Sequence, residues 1–536
     1  MSASPVCLPD PNMDAPALHA MVADLLQELS ARDQILAQMQ TIKLRQEQLL
    51  ADYRQDNLYK DAKITKLSHE IAMLRRVRFG KSGEQLSGVQ GSLLEETVQT
   101  DLSAIEAELE LLHGVPLHEP KSANKPVRTR LPEHLPRVTI IHEPDSTVCQ
   151  CGCQLQRIGQ DVAEKLDYVP GVFSVEQHVR GKWVCHKCVT LTQATVPAHV
   201  IDKGLATPGL LAQVLVAKYA DHLPLYRQEK IFERAGLKLS RSTLADWVGA
   251  CGVHLQPLVD ALRQVMLGHR VIHADETPVQ MLKPGSKKTH RAYLWAYAPG
   301  AFENLRAVVY DFNEGRAGQY AREFLGDWQG SLVCDDYSGY KACFTQGMTE
   351  IGCMAHARRK FFELHANGGS QLAEQALHHI AQLYRIEEQV KDLAPADRLR
   401  IRQERARPLA DALHDWMQIH RQRVPDGSGT AKALDYSLKR WVALTRYLDD
   451  GQLPVDNNHI EQQIRPVAIG RSNWLFAGSL RAGKRAAVIM SLIQSAKLNG
   501  HDPYAYLKDV LTRLPTQPAS RIAELLPHNW QPQTAM

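Results

Sequence analysis

The stretch His273-Ala274-Asp275-Glu276-Thr277-Pro278, entered through Arg270-Val271-Ile272, is where the sequence first declares its chemistry. Val271 and Ile272 read as the end of a buried strand, with Asp275 at its tip. A carboxylate there gains little from packing and sits where a cation or substrate can reach it. A second such tip is Ser331-Leu332-Val333-Cys334-Asp335-Asp336-Tyr337. A third carboxylate closes Pro454-Val455-Asp456-Asn457-Asn458-His459-Ile460-Glu461. Hard divalent cations such as Mg²⁺ take oxygen ligands. Two of them, roughly 3.5–4 Å apart, hold both the attacking and the leaving oxygen of a phosphodiester.

The surroundings of these tips predict a sheet. Strand-like runs cover Val271–Ala274, Ala292–Ala298 and Arg306–Asp311, then a helix over Ala317–Leu325 leads to a strand over Ser331–Cys334. Three antiparallel strands, a helix and a strand ending in Asp335 match a ribonuclease-H-like α/β domain, expected over residues 269–500. A helical, charge-rich insertion is expected at about 355–455, with Trp416 and Trp441 anchoring its core. It opens on Cys353-Met354-Ala355-His356-Ala357-Arg358-Arg359-Lys360-Phe361-Phe362. Cys353 and His356, one helical turn apart, suit a metal; alternatively His356 meets phosphate or a catalytic carboxylate. Asp456-Asn457-Asn458 is capping chemistry for the next helix. Glu461 and Arg465 share a face at i,i+4, and Pro466 is expected to end the helix. Arg471 follows in Arg471-Ser472-Asn473-Trp474.

Toward the N-terminus the character changes. From Leu18 to about Arg76 glycine and proline are nearly absent, and Leu50, Tyr53, Asn57, Lys60, Ile64, Leu67, Ile71 and Leu74 alternate by three and four. That is a coiled-coil seam, with Asn57 as a register-setting position; the alternative is a helix packing on its own domain. The run ends in Arg75, Arg76, Arg78 and Lys81 around Phe79, suited to phosphate or simply a solvated charged turn. Residues 92–112 form a second, acidic helix, which with the first makes a segment 1–114.

Residues 115–200 begin as a Pro- and Lys/Arg-rich linker and continue into Cys149-Gln150-Cys151-Gly152-Cys153 and Cys185-His186-Lys187-Cys188. Two cysteine knuckles separated by short strands read as a structural Zn²⁺ site, with Cys149, Cys151, Cys153, Cys185 and Cys188 as thiol candidates and His186 as an alternative. Gly152 allows the tight turn. Residues 201–268 read as helices with a Gly236 turn and a Ser240 cap. This is helix-turn-helix grammar, with Arg241 pointing to a groove, or else a helical module packed on the sheet domain. Residues 501–536 read as a helical tail. The fold class is therefore multidomain α+β.

Composition sets outer bounds. The chain has 536 residues, 44% hydrophobic, with formal charge +4, so DNA contact must rest on local basic clusters. No leader pattern and no apolar run of about 20 residues is seen, so no membrane partner is expected and the cytoplasm is the expected compartment.

The chain resembles, almost end to end, the transposases of insertion sequence 66-type bacterial mobile elements. The resemblance is carried by Asp456 through Pro466, by Ala468-Ile469-Gly470-Arg471-Ser472-Asn473-Trp474-Leu475-Phe476-Ala477-Gly478-Ser479, and by Cys353 through Phe361. It implies a leucine-zipper segment, a zinc-binding segment and a DDE catalytic domain, in that order. Asp275, Asp335 and Glu461 become the catalytic triad and ligands of Mg²⁺ or Mn²⁺. Asp335 is followed here by Asp336 where the family pattern has glycine, so either is a candidate second ligand. Arg358, Arg359, Arg465, Arg471, His356, Arg75, Arg76, Arg78, Lys81 and Arg241 become candidate phosphate or DNA contacts. Implied partners are terminal inverted repeats, target DNA, a second copy joined through the coiled coil, and small accessory proteins of the same element. A nucleoid-associated location follows. The rival expectations are a catalytically inactive DNA-binding regulator and a nuclease of the same fold that cuts without joining.

Overall fold

The structure, a computed structural model, describes residues 15–79, 89–113 and 131–532, apart from 132, 134, 145, 149–151, 170, 196–197, 203, 283–288 and 369. The side chains of Arg75, Arg76 and Arg78, and Lys81, Cys149 and Cys151 entirely, lie outside the described residues.

The first element is one helix, α1 (Ala15–Phe79), 65 residues long. Straight-chain residues and the lack of breakers allow it. Its apolar residues Leu29, Met39, Ile42, Leu50 and Tyr53 are all exposed.

Helix α2 (Val89–His113) is the acidic stretch of the sequence, and it is docked on the main body. Asp101 is buried against Arg485 at 3.1 Å, and Glu108 meets Arg481 at 2.9 Å. A Cβ on Gly249 would stand 2.4 Å from the Thr100 carbonyl, so glycine lets α2 come this close.

Strands β1 (Arg137–His142), β2 (Gln156–Val169), β3 (Val172–Val184) and β4 (Leu191–Gln193) form a sheet ordered β1-β3-β2, with β4 also on β3. Gly171, at φ +92°, turns β2 into β3. The separating strands are thus one long hairpin rather than several short runs. Its turn end carries core residues. Leu166, Phe173 and Val175 enter the main core, and Phe173 meets Phe232 edge-on at 5.4 Å.

Helices α3 (Pro208–Tyr219), α4 (Leu225–Arg234) and α5 (Arg241–Leu267) follow. Thr207 caps α3 and Ser240 caps α5, accepting from the Thr243 N–H at 3.2 Å. Gly236 makes the intervening turn at φ +86°. α5 is not short: it runs 27 residues and buries Leu244, Trp247, Val248, Leu255, Leu258 and Leu262. The helical segment shares one core with the sheet that follows, which is the packed-module alternative.

That sheet contains β5 (Val271–Met281), β6 (His290–Pro299), β7 (Val309–Asn313), then α6 (Gly318–Leu325), β8 (Ser331–Cys334), α7 (Lys341–Thr345) and β9 (Thr349–Gly352). The order is β7-β6-β5-β8-β9; β5, β6 and β7 pair antiparallel, and β8 and β9 run parallel to β5. The sequence reading missed β9, four residues at an edge. It also ended β5 too soon. β5 continues past Asp275 to Met281 because β6 pairs with it throughout, Pro278 opposite Tyr293. β8 pairs only with Val271–His273, so Pro278 lies where no second strand needs its missing N–H.

The insertion comprises α8 (Met354–Gly368), α9 (Gln371–Val390), α10 (Pro395–Ile401), α11 (Arg407–Arg421), α12 (Gly429–Lys439) and α13 (Trp441–Thr445). Its core is Ile380, Leu383, Leu413, Met417, Leu434 and Tyr447, while Trp416 and Trp441 only pack against it. Arg402 is a fully buried charge within it. It meets Glu387 at 2.6 and 2.9 Å and donates to the carbonyls of Tyr447, Asp450 and Leu453.

Helices α14 (Asn458–Trp474), α15 (Leu480–Leu498) and α16 (Pro503–Arg513) complete the chain. Pro466 does not stop α14; the helix carries it in its interior. Proline frees carbonyls of the preceding turn, and the Tyr310 hydroxyl donates to the Gln463 carbonyl at 2.6 Å. Residues 501–532 are no loose tail, since Tyr506, Leu507, Val510, Leu525 and Trp530 enter the main core.

Candidate active site

β5 and β8 are adjacent parallel strands, with Val271 opposite Ser331 and His273 opposite Val333. The pairing stops there, but that register runs toward Asp275 and Asp335, and Asp335 lies close enough to push up the Asp275 carboxyl. Side chains alternate between faces. Val271 and Val333 pack into the insertion core, whereas Ile272, Ala274, Leu332 and Cys334 pack into the main core. Asp275 and Asp335 therefore belong to the insertion side of the sheet.

Helix α14 lies on the same side, fixed by Asn457. Its side-chain amide donates to the Ala274 carbonyl at 2.9 Å, and its Oδ1 lies 2.7 Å from His273 Nδ1. Because Asn457 Oδ1 only accepts, Nδ1 of His273 carries the proton. Burial drives His273 down to about 3, so the ring is neutral. Asn457 does not cap its helix through its side chain; Asp456 does that work, accepting from the Asn458 N–H at 3.0 Å. Of the three residues expected to cap the helix, Asp456 accepts from its first N–H and Asn457 serves the sheet.

One turn into α14, Glu461 joins the aspartates. Burial first, then Glu276, then Asp335 and Glu461 push the Asp275 carboxyl up to about 8. Asp275 accepts from the neighbouring Glu276 N–H at 2.9 Å. Glu461 lies 3.5 Å from Arg359 and 3.7 Å from His356 Nδ1. Asp335 accepts from the Tyr337 N–H at 2.9 Å. Asp336 turns elsewhere, to Lys341 at 3.2 Å and Arg440 at 3.5 Å. Crowded carboxylates with this little internal cationic compensation fit a divalent-cation site, and their oxygens are the donors Mg²⁺ or Mn²⁺ prefers.

Glu276 was not singled out from the sequence. Its side chain is fully buried, accepts from Arg316 Nε at 2.6 Å and Tyr340 Oη at 2.7 Å, and so ties β5 to the loop after β8. Arg316 stacks 3.8 Å from the Tyr337 ring and approaches Asp335 at 3.9 Å. The available signal was strand alternation, which sends two adjacent acidic residues to opposite faces.

The candidate basic contacts divide. Arg358, Arg359 and Arg465 are exposed, with Arg358 5.7 Å from the Phe362 ring. Among the described residues, the ion-pair partners of Glu461 are Arg359 and His356 rather than Arg465. Arg471 turns inward and donates to the Pro278 carbonyl at 3.0 Å, covering the open edge of β5. The backbone N–H of Arg241 donates to Glu229 at 3.3 Å.

In the hairpin sheet, Gln156 pairs with Val184. This brings Cys153, Cys185 and Cys188 to one end. Gly152 has φ +82° and Val189 φ +53°, the tight turns of two knuckles. Cys185 is buried and Cys188 exposed. Thiols gathered by two such turns fit Zn²⁺. No helix among the described residues is long and apolar enough to cross a membrane.

A sheet carrying acidic side chains, preceded by a cysteine-knuckle hairpin, belongs in this chain to the class of transposases. Residues 203–485 match the transposase IS66 family, 491–528 the IS66 C-terminal element, and 146–189 the zinc-finger binding domain of transposase IS66. Residues 66–140 match a segment described as transposase C of IS166 homeodomain. Similar chains include three uncharacterized proteins of Sinorhizobium fredii (strain NBRC 101917 / NGR234). The chain is 38% identical to y4qI over 98% of both chains, and 35% identical to y4jD over 91% of this chain and 98% of that one. It is 34% identical to y4hP over 89% of each. The chain belongs to the IS66 transposase family.

Proposed function

We propose that this protein is a DDE-type DNA transposase that nicks the 3′ ends of its element and joins them to target DNA. What supports this reading is that Asp335 and Glu461 both lie close enough to Asp275 to raise its carboxyl. The strand order β7-β6-β5-β8-β9 supports a ribonuclease-H-like domain.

Asp275, Asp335 and Glu461 would hold Mg²⁺ or Mn²⁺; such ions, when bound, polarise the attacking and leaving oxygens of a phosphodiester. Asn457 orients Glu461 by tying the first turn of α14 to β5. Arg358, Arg359 and Arg465 offer exposed guanidinium groups to phosphate. In joining, the 3′-hydroxyl forms a new O–P bond, one target-strand O–P bond breaks, and the hydroxyl proton leaves to solvent. The zinc hairpin and the basic end of α1 would grip terminal repeats. The α1 seam, exposed at Leu50 and Tyr53, would pair two protomers, one for each end. The working compartment is then the bacterial cytoplasm, on the nucleoid.

The test is purified protein with labelled terminal-repeat and target DNA, in Mg²⁺ and in Ca²⁺. Nicking and joining in Mg²⁺, abolished in Asp275→Asn, is expected. Full strand transfer by Asp275→Asn would overturn the assignment, and nicking without joining would favour a nuclease.

A further inference from the structure

The Cys353–His356 pair recognised in the sequence has no part in the chemistry above. Cys353 directly precedes α8 and His356 sits one turn along it. Both face Glu461: one ligand atom from each of Cys353, His356 and Glu461 lies within 4.8 Å of the others. Two of these atoms, His356 Nδ1 and Glu461 Oε1, are buried without a hydrogen bond. They stand 3.7 Å apart, close enough for attraction and too far for a hydrogen bond. Buried polar atoms are ordinarily satisfied, so this pair calls for a third party. Cys353 Sγ accepts from the Asn457 N–H at 3.2 Å, which holds the sulfur beside the first turn of α14.

The donor set differs in kind from that of the two aspartates. One sulfur, one imidazole nitrogen and one carboxylate oxygen suit Zn²⁺ and other late divalent metals, not Mg²⁺. We propose that Cys353, His356 and Glu461 form a second metal site, selective for a thiophilic divalent cation, that shares Glu461 with the catalytic cations. The ion would enter from the side of His356 and Glu461, whose side chains are 22% and 27% exposed, because Cys353 is fully buried. Burial keeps the Cys353 thiol protonated, so binding releases that proton to solvent and forms the metal–sulfur bond. The site stands on its own geometry. Its consequence rests on the transposase reading: an ion here draws Glu461 away from Asp275 and Asp335, and zinc beyond the hairpin's share inhibits the reaction.

The test uses full-length protein with its hairpin loaded with zinc, titrated with Co²⁺ and followed by thiolate-to-cobalt charge-transfer absorption. One further equivalent showing this band is expected. It should vanish in Cys353→Ala, weaken at least tenfold in His356→Gln, and persist in Asp275→Asn. No additional band, or a band unchanged in both Cys353→Ala and His356→Gln, overturns the site. Should Cys353→Ala fail to fold, His356→Gln decides alone. The Co²⁺ band present with no strand transfer would sink the transposase mechanism and leave this site standing; the reverse result would do the opposite.

Discussion

The catalytic sheet and the knuckle end of the hairpin both gather metal-type ligands, by opposite means. Around Asp275 the polypeptide builds its own frame: Asn457 bonds to His273 and Ala274, and Glu276 is held by Arg316 and Tyr340. Buried side chains such as Trp295 and Tyr340 fill the other face. The knuckle end is held mostly by backbone bonds, such as Cys185 N–H to the Thr190 carbonyl at 3.1 Å, and Val148, Ile158, Val189 and Leu191 are exposed around it. We propose that the first region keeps its frame without a cation, whereas the second takes its order from a metal.

The sharpest way to break this contrast is to remove a charge from the first site. Asp275→Asn should reduce strand chemistry to background while leaving the melting temperature unchanged or higher, because a buried, repelled carboxyl is replaced by a neutral amide. A large drop in stability would mean that the carboxylate is structural. Next in size is zinc removal. A chelator should abolish amide protection near Cys153 and Cys185 while Leu166 and Phe173 keep theirs, as hydrogen exchange would report. Loss of protection across the catalytic sheet would contradict the division.

Asn457→Ala probes the frame. It strands a buried histidine N–H and the Ala274 carbonyl, for a loss of about 1–3 kcal/mol in denaturant unfolding. Through Glu461 it should also weaken Mn²⁺ binding roughly 10–100-fold. Unchanged Mn²⁺ affinity would show that Asn457 does not position Glu461.

The pH dependence has a defined sign. The folded-state value of Asp275 is raised to about 8, above its ordinary value of about 3.9. Without metal, its neutral form favours the fold, and that contribution is lost as pH rises through 8. A cation must displace the proton, so Mn²⁺ affinity should climb up to tenfold per unit from pH 6 and level off above 8. Affinity flat across that window would remove Asp275 from the ligand set. The smallest effect is expected from Asp336→Asn. Asp336 is half-exposed and paired with Lys341 and Arg440, so its loss should cost no more than about 1 kcal/mol and leave the chemistry intact, unlike Asp335→Asn.

Much of the site was legible because apolar runs ending in carboxylates are local patterns. Asp275, Asp335 and Glu461 could each be picked from a dozen residues. What failed depended on partners far along the chain. The length of β5 is set by β6, not by the Ala274–Asp275 boundary. Pro466 sits inside α14, in a turn where Tyr310 also donates to the Gln463 carbonyl. β9 is four residues long and owes its pairing to β8. The C-terminal segment was legible as helical from Tyr506, Leu507 and Val510, but its docking on the main core depends on partners elsewhere in the chain. The division between Asp335 and Asp336 needed the register of two strands, and Glu276 needed Arg316 and Tyr340 to reveal its role. The knuckle residues Cys149 and Cys151 lie outside the described residues.

The most direct test of the central claim is a Mn²⁺-soaked crystal measured at the manganese absorption edge. The account predicts anomalous density in contact with the carboxylates of Asp275, Asp335 and Glu461 together. Manganese bound elsewhere, with these three side chains left uncoordinated, would contradict it.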